Sequence, residues 1–465
     1  MNVALEYKMN FVVVISDTLR RDHLPCYGNQ QIYAPNIARF AAESVVFDGC
    51  RPASFPTVPA RADIMTGRNT FIYQDWGPLP GEHPTLAQTL SSHGYLTAGV
   101  VDTPFYLRNG YGYDRGFHDF QWIRGQRQGP ERNDVQAGWR GEEDHFAPAT
   151  FGAATRWLER HQDERFFLCV DTWDPHEPWD PPAHYVRRYF PDYKGEHVSP
   201  CYWDWRDFGY SERDVEIAHA CYMGEISMVD RWFGVLVDRL ASLNILEDTA
   251  VFLVADHGFY FGEHGQLGKS RFRWQDGVGF EEGWSRGLKV GYIHRSPLHN
   301  EVTRVPLLAR LPGVAPRRVS GLVSLPDLMP TILDLAGASK PESIQGSSFV
   351  PLINGDSDKV HDLVVTSATL HNPGSSSRMV DDQVREIVEG SPSTITDGEW
   401  DLLYSTAGEP VELYRTAEDY GHQHNLVADN LEVAERMHQW FYSWLESLGA
   451  SAASLAARKT LSAPD

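Results

Sequence analysis

Cysteine is scarce in this 465-residue chain. There are five, Cys26, Cys50, Cys169, Cys201 and Cys221, an odd number with no CxxC or Cys/His ligand spacing. The pattern excludes a fully paired disulfide framework and predicts free buried thiols in a reducing compartment. Basic charge is also in short supply: 41 Lys and Arg stand against 63 Asp and Glu, a formal net charge of -22. A field of that sign argues against a non-specific nucleic-acid binder and against an anionic-membrane binder. It allows a small anionic substrate, because a metal and a few cations reverse the sign locally. Long apolar runs are missing too. The first, Phe11 to Ile15, is too short for the core of a signal peptide and reads better as a strand. Nothing approaches the roughly 18 residues of a membrane span. These absences predict a cytoplasmic protein acting on a small molecule, with neither membrane nor nucleic acid as partner. They leave the oligomeric state open.

What is present fits a globular enzyme: 42% hydrophobic and 22% charged residues, with 14 Trp. Asn10 to Ser16 is a β-branched run, the pattern of a buried parallel strand, and it ends at Asp17. Leu96 to Val101 ends at Asp102, Arg165 to Val170 at Asp171, and Ala250 to Ala255 at Asp256. Short helices are expected over Asn36 to Ser44, Thr57 to Thr66 and Leu86 to His93, and a long one over 213–243. Val305 to Ala309 reads as a further strand and Pro326 to Ala336 as a helix. The order strand, carboxylate, loop, helix predicts an α/β fold with a doubly wound, mostly parallel sheet. Ligands in such sheets bind at the carboxyl ends of strands. Asp also favours strand ends and helix caps for structural reasons, so each carboxylate alone means little. From about residue 360 short β-like runs precede an amphipathic helix over Leu431 to Leu448. The expected organisation is therefore a 1–360 α/β hydrolase domain, a 361–450 C-terminal α+β subdomain with an antiparallel sheet, and a fraying 451–465 tail. Asn372 to Ser377 (NPGSSS) reads as a mobile loop.

Two stretches carry chemistry. TVPARADIMTGR, Thr57 to Arg68, puts a hydroxyl, a Pro turn and Arg61 at the start of a helix. Backbone donors at that helix start favour an anion, and the Arg61 fork can pair with equatorial oxygens of a tetrahedral group. ADHGFYFGEHGQLGK, Ala255 to Lys269, puts Asp256 and His257 at a strand end before a glycine. With Asp17 they form an O/N donor set suited to a divalent cation, and a Thr57 oxygen would complete four ligands. Structural alternatives exist for each: Thr57 as an N-cap, His176 as a turn residue, His264 and Lys269 in a solvated loop.

These two stretches resemble the nucleophile motif and the second motif of the sulfatase family. SDTLRRDHLPCYG (Ser16 to Gly28), APNIARFAAESVVF (Ala34 to Phe47) and HEPW (His176 to Trp179) are similar to further family segments in the same order. So are RVPLLARLPG, LPDLMPTILDLAG and ELYRTAEDYGHQHNL. The resemblance implies the alkaline-phosphatase-like fold, a doubly wound α/β sheet with a smaller C-terminal sheet. It also implies one divalent ion, Mn or Zn before Ca, on Asp17, Thr57, Asp256 and His257. Thr57, Arg61, His176 and Lys269 become the expected catalytic residues, with His176 as the acid for the leaving oxygen. His264 and Asp102 become substrate-binding. Asp171, Asp174 and His176, with His294 or His299, are a second candidate ligand group.

The departures from the family pattern bear on substrate class. Thr57 stands where the family oxidises cysteine to formylglycine, and Ser16 replaces one of two adjacent aspartates. The family's G-K-W-H segment is replaced by VDTP, Val101 to Pro104, and an insertion, 270–297, carries Trp274, Phe280, Trp284 and Tyr292 as a lid or subunit contact. A threonine adduct must be cleaved by water, as in the superfamily's phosphodiesterases and phosphonate monoester hydrolases. Three readings follow. The first is a phosphate-diester or phosphonate-monoester hydrolase with Thr57 as nucleophile. The second is a sulfuric ester hydrolase working without formylglycine. The third is a catalytically silent binding protein with the same fold.

Overall fold

The computed structural model describes residues 9–103, 111–123, 139–288, 291–294, 296–370 and 392–461. β-Branched and aromatic runs build an eight-stranded sheet. Its order is Arg317–Ser324, Val45–Arg51, Leu307–Arg310, Thr249–Val254, Asn10–Ser16, Phe166–Thr172, Leu96–Val101, Asp119–Trp122. All neighbours run parallel except Leu307–Arg310, which is antiparallel to both of its partners. The strands at the centre are buried on both faces, as continuous apolar runs require. The 31-residue Glu212–Ser242 helix and the Phe146–His161 helix pack against each other over this sheet. The α/β expectation therefore holds, and the four expected strand-end carboxylates come from neighbouring strands at the sheet's centre and flank.

The second sheet has the order Glu412–Arg415, Trp400–Tyr404, Ser393–Thr396, Val364–Ala368, Ser54–Phe55. Its first four strands are antiparallel, and the Leu431–Ser447 helix covers them through Met437, Phe441 and Leu445. The fifth strand is two residues long and comes from far upstream. Ser54 and Phe55 pair in parallel with Ser367 and Ala368, just before the Thr57 helix begins.

Several local expectations change. The tail does not simply fray: Ala452–Ala457 is helical, Ser451 caps it, and the Arg458 side chain is buried. Asp171 lies inside its strand, which runs Phe166–Thr172, rather than after it. The insertion folds as an antiparallel hairpin, Arg271–Trp274 with Gly291–His294, around a short helix. The NPGSSS stretch, parts of the 103–146 loop, and the side chains of Phe280 and Trp284 lie outside the described residues. Among the described residues no helix is long and apolar enough to cross a membrane.

Candidate active site

Parallel pairing of Asn10–Ser16 with Thr249–Val254 brings two strand ends side by side, and with them Asp17 and Asp256. Asp17 extends the ladder by donating its N–H to the Thr172 carbonyl at 3.0 Å. The chain then turns through Thr18, whose φ of 62° is left-handed. That turn aims the Thr18 N–H at Asp256 Oδ1 (2.9 Å) and its hydroxyl at Asp17 Oδ1 (2.6 Å). The Asp256 Oδ1 atom also accepts the His257 N–H at 2.8 Å. Gly258 is required next: a Cβ there would lie 1.9 Å from the Glu301 carbonyl oxygen.

His257 is held in one tautomer. Its Nδ1 faces the Gly258 carbonyl at 3.0 Å, an atom that can only accept, so Nδ1 carries the hydrogen. The Nε2 lone pair is left facing the Thr57 hydroxyl at 3.0 Å. Burial, reinforced by Lys269 against the opposing pull of Asp256, pushes His257 down to about 3, so the ring is neutral. Asp17, Asp256 and His257 each offer a ligand atom within 4.8 Å of the others, and all three are buried.

Thr57 is the first residue of the Thr57–Thr66 helix, with Pro56 in the cap position. The turn ahead of it is tied down by Asp63, a residue sequence reasoning passed over. Asp63 accepts from the Ser54 N–H (2.6 Å) and hydroxyl (2.8 Å) and from the Thr70 N–H (2.8 Å) and hydroxyl (2.7 Å). The sequence holds one slight sign of it, an Asp six residues after the hydroxyl; only the fold shows that its helix is buried on every side.

Arg61 differs from expectation. Its fork closes on Asp171, with Nε to Oδ2 at 2.9 Å and Nη2 to Oδ1 at 2.8 Å. Nη1 reaches Asp256 Oδ2 at 2.5 Å, Asp17 Oδ2 at 2.9 Å and the Thr57 carbonyl at 3.2 Å. The guanidinium is the shared counterion of three buried carboxylates, whose charges the core would otherwise strongly disfavour. Even so, burial and the neighbouring Asp256 charge push Asp17 well above its ordinary range. Burial acts on Asp256 in the same sense, but His257 and Arg61 outweigh it and hold that group low. Asp17 Oδ2 accepts no well-aligned hydrogen bond despite the nearby guanidinium. A buried, under-satisfied carboxylate oxygen beside a second carboxylate and a bare imidazole nitrogen is a donor set that fits a divalent cation.

His176, four residues past the Phe166–Thr172 strand, meets Lys269. Lys269 Nζ donates to His176 Nε2, and His176 Nδ1 donates to the Glu177 carbonyl at 2.6 Å. Burial and then the Lys269 charge hold His176 well below its ordinary value. His176 is therefore neutral, and its Nε2 is the accepting end of the contact with Lys269 Nζ. The expectation of His176 as the acid changes accordingly.

The two expected substrate-binding residues are both engaged with partners inside the protein. Asp102 is fully buried and accepts from the Trp173 N–H (2.5 Å) and the hydroxyls of Thr150 (2.8 Å) and Thr172 (3.1 Å). Burial pushes it up to about 7. Its oxygens hold the fold together rather than facing a ligand. His264 stacks on His299 with ring centroids 3.7 Å apart and lies 3.5 Å from Glu301 Oε2. The second candidate ligand group does not assemble. Asp171 is taken by Arg61, Asp174 Oδ2 accepts the Ala147 N–H at 3.2 Å, and His299 Nδ1 faces His422 Nδ1 at 3.1 Å. His294 lies over Trp203. Among the described residues Asp17, Asp256 and His257 are the one such cluster.

Residues 9–338, more than two thirds of the chain, match the family profile described as Sulfatase. The chain belongs to the sulfatase family. With that membership goes the ester-hydrolase class. Choline-sulfatase of Rhizobium meliloti is 26% identical over 407 residues, covering 75% of this chain and 72% of that protein. An arylsulfatase of Clostridium perfringens is 25% identical, covering 74% and 78%. Among solved structures, the phosphonate monoester hydrolase of Agrobacterium radiobacter superposes with a TM-score of 0.71 at 20% identity, covering 95% of each chain. That likeness supports the alkaline-phosphatase-like fold.

Proposed function

We propose that this sulfatase-family chain hydrolyses phosphate diesters or phosphonate monoesters with Thr57 Oγ1 as nucleophile. The observation that carries the reading is the Thr57 hydroxyl, buried at a helix start and hydrogen-bonded to a neutral His257 beside Asp17 and Asp256. Those three residues and Thr57 would hold one divalent ion, Mn or Zn before Ca. When bound, the ion supplies the positive charge that makes a threonine hydroxyl acidic enough to react. The small-molecule ester enters with its tetrahedral group against the start of the Thr57 helix, where backbone N–H groups favour negative charge. The Thr57 hydroxyl passes its proton to solvent water, and Oγ1 attacks phosphorus in line with the leaving group. The bond to the leaving oxygen breaks, and that oxygen takes a proton from Lys269 Nζ, next to His176. Water then attacks the phosphorus of the Thr57 ester. The threonine oxygen departs and regains a proton, and Lys269 is reprotonated. Asp171 and Arg61 keep the carboxylate pair in register throughout.

A sulfate-ester substrate is the second reading. It is favoured by the sulfatase relatives and by the retained His176 and Lys269. Threonine cannot form the formylglycine hydrate, so here too water must open a covalent ester. The two are separated by assaying aryl phosphodiester, phosphonate monoester, phosphate monoester and sulfate ester with Mn, Zn or Ca added. Turnover of the phosphorus diester or phosphonate, lost in Thr57→Ala and in chelator, is the expected result. Turnover of sulfate alone would assign the second reading. No turnover, with no metal bound, would mark a silent binding protein.

A further inference from the structure

His176 has a neighbour that no expectation included. The Glu177 carboxylate is buried, and its Oε2 lies 3.1 Å from His176 Nδ1. The other oxygen, Oε1, accepts the Tyr202 hydroxyl and lies 4.0 Å from Lys269 Nζ. A neutral imidazole must place its single hydrogen on one nitrogen. The Glu177 carbonyl takes the Nδ1 hydrogen bond at 2.6 Å, and the carboxylate charge beside it adds to the preference for Nδ1–H, which turns the Nε2 lone pair toward Lys269.

Tyr202 reaches Glu177 from an uncommon backbone conformation. Its φ is 54°, in the left-handed region that a bulky side chain rarely enters. Four contacts hold it there. Its N–H donates to the Leu267 carbonyl at 2.8 Å, and its carbonyl accepts the Phe272 N–H at 3.0 Å. Its ring packs in one cluster with Phe272 and Trp274. Gly268 passes so close that a Cβ would lie 2.8 Å from the Tyr202 Cα. Phe272 and Trp274 belong to the inserted 270–297 hairpin.

We infer that Glu177 and Tyr202, buttressed by the inserted hairpin, are positioning residues that fix the His176 tautomer so that the Lys269–His176 pair delivers the leaving-group proton. The inference rests on the ester-hydrolase reading above. It also accounts for the insertion, since the hairpin braces a tyrosine, the tyrosine holds a carboxylate, and the carboxylate orients the imidazole. In the step concerned the bond from phosphorus to the leaving oxygen breaks with both electrons staying on oxygen, and the proton from Lys269 Nζ completes the alcohol. His176 Nε2 accepts from Nζ before the transfer and orients it.

The test compares leaving groups, because an alkoxide needs that proton and a nitrophenolate does not. Wild type, Glu177→Gln and Tyr202→Phe are assayed with metal on an alkyl ester and on the 4-nitrophenyl ester of the same acid. Glu177→Gln is expected to lose at least about tenfold in kcat on the alkyl ester, with little change in KM and a much smaller loss on the nitrophenyl ester. Tyr202→Phe should show the same selectivity more weakly, and the double variant should lose less than the product of the single losses. Equal losses on both esters in either variant, or no loss in both, would overturn the inference. Should Glu177→Gln not fold, Tyr202→Phe decides alone. A wild type that turns over neither ester, or a Thr57→Ala variant that keeps activity, would instead overturn the parent reading.

Discussion

Replacing Arg61 by methionine is the sharpest test of how this site is held together. The guanidinium is fully buried and faces Asp171 at 2.8 and 2.9 Å, Asp256 at 2.5 Å and Asp17 at 2.9 Å. Methionine keeps the stem volume and removes the charge. Truncating one partner of a buried ion pair costs about 3–5 kcal/mol, because the charge left behind has no counterion. Three carboxylates are left here, but Asp17 is already raised by burial and by Asp256, so it can take up a proton and cap the loss. For a chain of 465 residues a loss within that range corresponds to a fall of roughly 3–5 °C in the melting midpoint. A divalent ion on Asp17, Asp256 and His257 would restore part of the missing charge, about 2.7 kcal/mol at a hundredfold excess over its dissociation constant. The assay is thermal melting of parent and variant in EDTA and with excess Mn or Zn. In EDTA the variant should melt well below the parent. With metal the gap should narrow, because the ion gains more where Arg61 no longer competes for the same oxygens. A variant that melts with its parent in EDTA, or a gap that metal leaves unchanged, would refute the view of Arg61 as an internal counterion.

Three further outcomes are expected. Thr57→Ala should lose turnover by at least about a thousandfold, the scale of a missing nucleophile, while Thr57→Ser retains measurable activity; equal kinetics in the two would remove Thr57 from the chemistry. Gly258→Ala should lose metal-dependent turnover and melt early, since its Cβ would meet the Glu301 carbonyl at 1.9 Å; calorimetry and activity read both. Asp102 is held at about 7 by burial. Between about pH 4, where an unfolded carboxyl titrates, and about pH 7 the native state therefore keeps a proton the unfolded state has lost. Its contribution to stability falls as pH rises through that window, by at most about 4 kcal/mol. Asp102→Asn should flatten this part of the stability–pH curve and leave KM unchanged; parallel curves, or a raised KM, would return Asp102 to substrate binding.

The strands that carry the site were legible because their signal is local. Asn10 to Ser16 and Ala250 to Ala255 are apolar runs closed by Asp, and the structure bears them out within a residue. The same local signal marked Asp102, whose fate was settled by partners the signal does not contain. Thr150 sits on the Phe146–His161 helix, which starts Phe-Ala-Pro, carries a mid-helix glycine and shows no clear capping residue. Strand Val45–Arg51 was hidden by its own Asp48-Gly49, which reads as a turn. In the sheet Gly49 is needed because a Cβ would come 2.9 Å from the Gly321 carbonyl of the bulged neighbouring strand. Arg61 was read as a substrate ligand because an arginine one turn past a nucleophile looks free on a helix. Its three carboxylate partners come from three separate strand ends, and no spacing in the chain reveals that convergence. The Glu177–Tyr202 contact is equally long-range.

The two-residue strand Ser54–Phe55 links the candidate site to the C-terminal part of the chain. It takes its partner from Ser367 and Ala368, more than three hundred residues downstream. Thr57 follows it almost at once, with Asp63 binding back to Ser54. The strand that leads into the Thr57 helix is therefore completed only by the last quarter of the polypeptide. On the proposed reading, a chain clipped before Ser367 would keep Asp17, Thr57, Asp256 and His257 and lose the partner of the strand that leads into the Thr57 helix.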